Sequence, residues 1–246
     1  MKEQLNKSFF NWSGGKDSAL ALYHVLREKN YAVERLLTNI NGANNRISMH
    51  GVREDLLAQQ AAAIGIPLQK LILPEQPSMQ AYEQKMSQTL SGLKDEHFTY
   101  SLFGDIFLED LKVYRENQLA TIGLFAVFPL WKRDTTELIH EFIDLGFKAI
   151  VVCIHNEVLD KSFAGRVIDK EFLKDLPKNV DPCGENGEFH TFVFDGPIFK
   201  KPILFNTGEK VFREYKAPAN QKDNCFSEPP AVPSSMGFWF CDLLPA

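Results

Sequence analysis

The sequence predicts an α/β fold: a parallel sheet sandwiched between helices, followed by a smaller C-terminal α+β domain. Three observations carry that prediction. Short β-branched or aromatic runs alternate with longer helix-spaced runs from the N-terminus onward. The chain has 246 residues, 44% hydrophobic and only 24% charged, enough to bury a sizeable core. Beyond Ile154 the alternation gives way to loop-rich sequence, within a second, smaller unit whose boundary is expected near residue 125.

Taken in order, Ser8 to Trp12 reads as a short aromatic strand, and Ser18 to Glu28 carries Leu20, Leu22, Tyr23, Val25 and Leu26 at helical spacing. Val33 to Ile40 is a β-branched and leucine-rich strand, and Gly51 to Ile64 an alanine- and leucine-rich helix. The order repeats with a strand at Leu68 to Leu73, a helix near Met79 to Leu93, a strand at Tyr100 to Phe103 and a helix near Leu108 to Asn117. Such alternation implies right-handed crossovers, with ligands at the carboxyl ends of the strands. After Gly123 one more unit follows: LFAVFPLW, a helix from Thr135 to Leu145 and the strand AIVVCI from Ala149 to Ile154. VDPCGENGEFHTFVFDGPIF, residues 180–199, places an acidic loop before an alternating strand, and KPILFNTGEKVFREY reads as a β-hairpin around Thr207 and Gly208. Ala217 to Ser235 is rich in proline, serine and asparagine and reads as an extended tail ending in the aromatic GFWFCDLL. The expected division is 1–125, 126–216 and a tail of 217–246.

Composition excludes several classes. The net charge of -5 comes from interspersed charges, which leaves no electrostatic footprint for nucleic acid. The start, MKEQLNKSFFNW, lacks the apolar core of a signal peptide, and no stretch approaches the roughly 18 apolar residues of a membrane span. A cytoplasmic protein with no membrane partner is expected, and a homodimer is among the assemblies the sequence allows. Cys153, Cys183, Cys225 and Cys241 form no CxxC pair, which suits a reducing compartment and disfavours thiolate-held metal.

Two stretches carry chemistry. In SGGKDS, Ser13 to Ser18, two glycines after a strand let the backbone turn tightly and approach a ligand, and the next helix aims its free N–H groups at the same point. A helix dipole contributes about 0.3 to 1 kcal/mol, far below the roughly 8 kcal/mol of a micromolar ligand. Lys16 and the hydroxyls of Ser13 and Ser18 must therefore add to it, on a ligand larger than a phosphate. Asp17 beside phosphates is repulsive unless a divalent cation lies between, so it is assigned to Mg²⁺. The plainer alternative is a glycine turn with a capped helix; the whole hexapeptide at the end of the first strand argues for the ligand. It is not a Walker A loop. The second stretch, DPCGENGEFHTFVFDGP, gathers Cys183, Glu185, Glu188 and His190 around Gly184 and Gly187. Such a loop can hold a cation, orient an amine or exchange protons, or it can be a solvated turn before a strand.

SGGKDS resembles the PP-loop of the N-type ATP pyrophosphatases, which cleave ATP between the α and β phosphates and adenylate a substrate. Together with RISMHGVR at 46–53, FGDI at 103–106, PLW at 129–131, GFKAIVVCI at 146–154 and GENGEFHT at 184–191, the sequence resembles the diphthine:ammonia ligase family over most of residues 8–205. That resemblance implies a Rossmann-like, adenine nucleotide alpha hydrolase-like domain at 1–125 and a substrate-binding domain at 126–216. It implies an AMP-forming carbon–nitrogen ligase that uses ATP, Mg²⁺ and ammonium on a carboxylate acceptor. Ser13, Gly14, Gly15, Lys16, Asp17 and Ser18 would bind the nucleotide and magnesium, with His50, Gly104 and Asp105 lining the pocket. The loop from Gly184 to Thr191 would face the acceptor, and Lys16, Asp17, Glu185, Glu188 and His190 would carry the chemistry. Cys183 reads as a loop residue rather than a nucleophile. With no glutaminase domain in view, free ammonia is the expected nitrogen source.

Diphthamide-making members typically read GEGGEYET where this chain reads GENGEFHT, so His190 stands in the place of a glutamate. The FHT form resembles a branch proposed to amidate a corrinoid in cobalamin salvage. The acceptor is thus a diphthine-bearing protein or a corrinoid. A nucleotide-binding sensor without chemistry is the rival from another class, and the acidic loop weighs against it. Thiolation of tRNA is disfavoured by cysteine spacing and charge.

Overall fold

The computed structural model describes residues 5–47, 50–74, 78–216 and 235–246. The first strand, β1 (Asn6–Asn11), reads NKSFFN, and Ser8, Phe9 and Phe10 are all buried. A strand covered on both faces has no polar side to show, hence a continuous rather than alternating pattern. It pairs in parallel with β2 (Tyr31–Asn41), and β2 in turn carries the two-residue antiparallel β3 (Arg46–Ile47) and the parallel β4 (Leu68–Leu73). On its other side β1 pairs in parallel with β5 (Tyr100–Leu102), which pairs with β6 (Phe125–Val127). The chain therefore runs outward from β1 in one direction and returns to build the sheet in the other. The carboxyl end of β1 is the switch point between the two, where open α/β sheets leave a crevice.

Helices cover both faces. The helices α1 (Lys16–Glu28) and α2 (Glu54–Ile64) pack Leu20, Leu22, Leu56 and Leu57 against Phe10, Leu36 and Ile40. On the opposite face, α3 (Met79–Asp95) and α4 (Glu109–Ala120) bring Met86, Leu90, Leu93 and Leu119 against Phe9, Leu37 and Leu71. Neighbouring Phe9 and Phe10 thus belong to different cores, as the period of a strand requires.

The second sheet is antiparallel. The helix α5 (Thr135–Asp144), capped by Asp134, leads into β7 (Lys148–His155). A short α6 (Lys170–Asp175) follows, then β8 (Phe189–Asp195), β9 (Phe205–Lys216) and β10 (Ser235–Pro245), in the spatial order β8-β7-β10-β9. Phe142, Ile150, Phe172, Phe189 and Phe192 join the same hydrophobic cluster as Phe10 and Trp12, so one core runs continuously under both sheets. No helix among the described residues is long and apolar enough to cross a membrane.

Several elements differ from the sequence reading. The hairpin expected around Thr207 and Gly208 is instead one uninterrupted strand, β9, whose antiparallel partner is supplied by the chain end, from Phe205 with Pro245 to Lys216 with Ser235. The register shifts between Cys241 and Leu243, opposite Gly208 and Glu209, so the glycine is absorbed by an irregularity in the ladder rather than by a turn. The aromatic terminus GFWFCDLL is accordingly an interior strand of the second sheet; the proline-rich residues 217–234, with Cys225, lie outside the described residues. Helix α2 begins at Glu54, which leaves Gly51 to Arg53 in a turn that carries His50. Both β3 and α6 escaped notice because two and six residues are too few to show a period. β6 extends the first sheet to Val127.

Candidate functional site

Beyond β1 the backbone leaves the sheet, with Trp12 N donating to Leu37 O at 2.7 Å. Gly14 adopts φ +77°, and a Cβ there would stand 2.8 Å from Gln60 Oε1, so both conformation and space require glycine. Gly15 caps α1 without a side chain. In its stead Ser13 Oγ lies 2.7 Å from Ser18 Oγ and accepts from Gly15 N at 3.3 Å, which closes the turn on itself.

Lys16 is the charge at its centre. Its side chain is only 4% exposed, its Nζ donates to both oxygens of Asp17 at 2.9 and 2.7 Å, and it stands 5.5 Å from the centre of the Phe189 ring. Burial alone lowers its pKa, but the Asp17 carboxylate beside it and Glu185 farther off more than offset this and hold the ammonium charged.

The second sheet docks directly on this turn. Lys16 N donates to Thr191 Oγ1 at 3.0 Å and Val193 N donates to Gly14 O at 2.9 Å, so β8 runs along the glycine turn. Gln60, wholly buried on α2, bolts the junction: its Nε2 donates to Gly14 O at 3.0 Å and to Val193 O at 2.6 Å, while its Oε1 accepts from Trp12 Nε1 at 2.9 Å. These bonds bring the acidic loop before β8 over the start of α1.

Within that loop the carboxylates divide into two kinds. Asp181 and Glu188 face inward. Asp181 accepts from Cys183 N at 2.8 Å and from the Thr135 hydroxyl at 2.7 Å. Glu188 accepts from Asp181 N and the Asn186 amide side chain, each at 3.0 Å, and from Asn186 N at 2.8 Å. Burial pushes Glu188 up, yet these hydrogen bonds more than offset it and leave the carboxyl below its ordinary range. Glu185 is different. Burial first and the nearby Asp17 second, with Asp105 and Asp181 adding and Lys16 opposing, push its pKa up to about 8. Cys183 donates its thiol to Thr135 O at 3.3 Å, and burial pushes its pKa up, so it is a thiol and not a thiolate.

His50 and His190 stack at 4.8 Å with an interplanar angle of 28°. His50 donates from Nδ1 to Thr191 O at 3.1 Å, and its Cε1 lies so close to the helix cap that a Cβ on Gly15 would come within 2.9 Å. Burial lowers His50 to about 4 and holds His190 well below the usual imidazole range, so both rings are neutral near pH 7. Gly104 packs against the first turn of α1, where a Cβ would meet Ser18 N at 2.8 Å. Its neighbour Asp105 lies 3.1 Å from Arg115 Nη1; burial raises its pKa, Arg115 opposes, and Asp17 adds to the rise.

The expected residues therefore converge from both sheets: Ser13 to Ser18, Gly104 and Asp105 from the first, Glu185, His190 and the loop from the second, with His50 between them. Glu188 is spent on the loop's own backbone. Ser48 and Met49 of the RISMHGVR stretch lie outside the described residues. Sequence reasoning missed Gln60, Asp181 and Arg115, and it placed Thr191 only as the end of the acceptor loop, where the structure has its hydroxyl accepting from Lys16 N. Gln60 was discoverable, since it falls on the buried stripe of Leu56, Leu57 and Ala61, where a polar side chain needs a partner. Asp181 opens a DPCG turn, the position at which an aspartate bonds the backbone two residues on. Arg115 carries no signal in the sequence.

The donor set suits a magnesium ion that arrives with phosphates. Asp17, Asp105, Asp181 and Glu185 interact electrostatically in one cluster, with Lys16 beside Asp17 and Arg115 beside Asp105 as its cations. Among the described residues no three of His, Cys, Asp or Glu converge at ligand distance. Mg²⁺ commonly takes one or two carboxylates and completes its shell with phosphate and water rather than with an all-protein cage.

Comparison with known proteins matches two family models to successive parts of the chain. Residues 6–124 match the family model described as the diphthamide synthase N-terminal domain, and residues 134–222 the diphthamide synthase C-terminal domain. Relatives include the diphthine–ammonia ligase of Danio rerio, 28% identical over 221 residues covering 81% of this chain and 86% of that protein. The human protein of the same name is 25% identical, over 83% of this chain and 85% of its own length. That of Schizosaccharomyces pombe is 24% identical over 81% of this chain, which corresponds to 36% of the longer yeast protein. Among solved structures, the U34-tRNA thiolase NcsA from Methanococcus maripaludis with its 4Fe-4S cluster is a distant likeness, with a TM-score of 0.37 and 16% identity over 58% of this chain and 59% of that one.

Proposed function

The chain belongs to the diphthamide synthase family, whose members are ligases of the PP-loop ATP pyrophosphatase type, and from that premise we propose that it adenylates a substrate carboxylate with ATP and transfers ammonia to it. The first sheet is then the nucleotide half and the second the acceptor half. The amides of Gly14 and Gly15, the Ser13 and Ser18 hydroxyls and Lys16 cradle the phosphates. Lys16 and Asp17, paired with each other at 2.7 Å, are the cation and the anion that the phosphates and Mg²⁺ would respectively take. Bound there, Mg²⁺ would neutralise charge on the phosphate oxygens.

The acceptor carboxylate attacks the α-phosphorus as the bond to pyrophosphate breaks, giving an acyl-adenylate. Ammonia then attacks the acyl carbon, AMP leaves with the bonding pair, and the nitrogen gives up a proton. Donors fixed in advance around the phosphates stabilise the charge that builds on pyrophosphate, the kind of contribution worth about 100- to 1000-fold per donor in other enzymes. Glu185, with a pKa of about 8, is the group suited to take the proton from nitrogen. Glu188 holds the loop that presents it. Neutral His50 and His190 form an aromatic wall beside the turn, with His50 against Gly15.

The observation that carries this reading is the docking of the Glu185 loop on the glycine turn through Thr191, Val193 and Gln60. A sensor that only binds nucleotide has no need of a desolvated carboxyl coupled electrostatically to Asp17 and the lysine. His190 favours a second reading of the acceptor: this uncharged ring, stacked on His50, stands where diphthamide-making relatives carry a glutamate, the form that resembles the corrinoid branch. The test is pyrophosphate release with ATP and ammonium against two acceptor pools, diphthine-bearing elongation factor and corrinoid acids. Acceptor-dependent release with one pool supports the ligase and names its substrate. ATP binding without release in either pool favours the sensor.

A further inference from the structure

We propose that Asp242, on the C-terminal strand β10, is a positioning residue for the nucleotide site, acting through Arg46 and Arg53 on the turn that carries His50. The inference rests on the nucleotide reading of the glycine turn. Asp242 Oδ1 accepts from Arg46 Nη1 at 2.7 Å and from Arg53 Nε at 3.2 Å, and its Oδ2 accepts from Arg53 Nη2 at 2.6 Å. The two arginines stand at the two ends of one turn, joined to each other by an antiparallel backbone bridge. Without an anion between them, like charges would push those ends apart. Arg46 Nη1 also donates to Gly51 O at 2.7 Å, so the guanidinium held by Asp242 grips the carbonyl of the residue after His50.

A second contact fixes the same turn from the same strand. Gly51 has φ +68°, and a Cβ there would lie 2.8 Å from Cδ1 of Phe240, two residues before Asp242. From this clamp His50 reaches inward to Thr191 O and to the cap of α1. The chain end, far from the glycine turn in sequence, thereby sets where the imidazole meets it. The strength of the clamp shows in Asp242 itself: burial raises its carboxyl, but the hydrogen bonds and charges of Arg53 and Arg46 bring it down to about 2. Electrostatic complementarity of this type, an aspartate shared by two arginine forks, is geometrically specific.

The experiment compares wild type with Asp242→Asn, Asp242→Glu and Lys16→Ala, by ATP titration and by the KM for ATP and kcat of pyrophosphate release. Asp242→Asn keeps the shape and removes the charge. Its KM and Kd for ATP are expected to rise about tenfold, with kcat at saturating ATP within about twofold of wild type and with Asp242→Glu restoring most of the affinity. A fall in melting temperature with unchanged KM and Kd would overturn the proposal and leave Asp242 a structural tie. If Asp242→Asn does not fold, Arg53→Gln, at a more exposed partner, reads the same coupling and should raise KM about threefold; no rise overturns the proposal. Lys16→Ala separates the two levels of the argument. Wild type that binds ATP, with loss in Lys16→Ala but not in Asp242→Asn, refutes only the positioning role. Wild type that binds no ATP refutes the nucleotide site and this inference with it.

Discussion

Replacing Glu185 by glutamine should flatten the pH profile of nitrogen transfer. The carboxyl is raised from an ordinary 4.5 to about 8, chiefly by burial and next by Asp17. It is neutral below that value and charged above it, so about a tenth of it is ionised at about pH 7 and about nine tenths at about pH 9. A step that needs the carboxylate as base should therefore accelerate about tenfold across that interval in the wild type. Ammonia itself becomes more abundant over the same interval, so the assay uses hydroxylamine, uncharged throughout it, and follows hydroxamate formation at saturating ATP and acceptor. Glu185→Gln should be slower at every pH and level between the two ends. Stability gives an independent reading. The unfolded carboxyl ionises near 4.5 and the folded one near 8, so between those values the unfolded state holds fewer protons and stability falls as pH rises. The contribution is fully present below about 4.5 and lost by about pH 8, and Glu185→Gln should abolish that slope in denaturant titrations. A variant that keeps the wild-type rise in rate with pH would refute the assignment of Glu185 as the base.

Three further substitutions probe the frame around it. Lys16→Ala should lower pyrophosphate release about 100- to 1000-fold, and because it strips the cation from a largely buried Asp17 it should also lower the melting temperature; wild-type turnover would count against the phosphate role. Gly104→Ala places a methyl 2.8 Å from Ser18 N, a backbone atom that cannot step aside. It should cost about 1–3 kcal/mol in urea unfolding and weaken ATP in calorimetric titration. Gln60→Leu leaves the Trp12 indole N–H without its buried acceptor and removes one of the two donors to the Gly14 carbonyl, which keeps Val193 N. A loss of about 1–3 kcal/mol is expected, read by the same denaturation, and no loss would mean that water replaces the amide.

The first sheet was legible because each of its longer elements carries its own local signal. Leu20, Leu22 and Val25 repeat at helical spacing, and Phe9 and Phe10 sit in an apolar run bounded by polar residues. The glycine turn was legible for the same reason, since its six residues are contiguous. The second sheet was harder to read where pairing is remote. The β9–β10 ladder joins Phe205 to Pro245, and nothing near Thr207 and Gly208 in the sequence announces a partner from the chain end. A turn-like dipeptide was then the strongest local cue, and tertiary pairing overrode it. In the site, the likeness of type between Glu185 and Glu188 hid a difference of role. Two glutamates three residues apart look equivalent until the fold shows one accepting from Asp181 N and Asn186 N and the other interacting electrostatically with Asp17 and Lys16. Gln60 and Asp242 act across gaps of 133 and 189 or more residues, and only the folded chain brings them to their partners.

The account turns on where ATP is cut. Incubating the protein with ammonium, the acceptor that supports turnover, and ATP labelled separately in the adenosine and in the γ-phosphate, then resolving the products, reads this directly. AMP and pyrophosphate in equal amounts, each matching the amide formed, is the predicted result. ADP and inorganic phosphate as the acceptor-dependent products would contradict it.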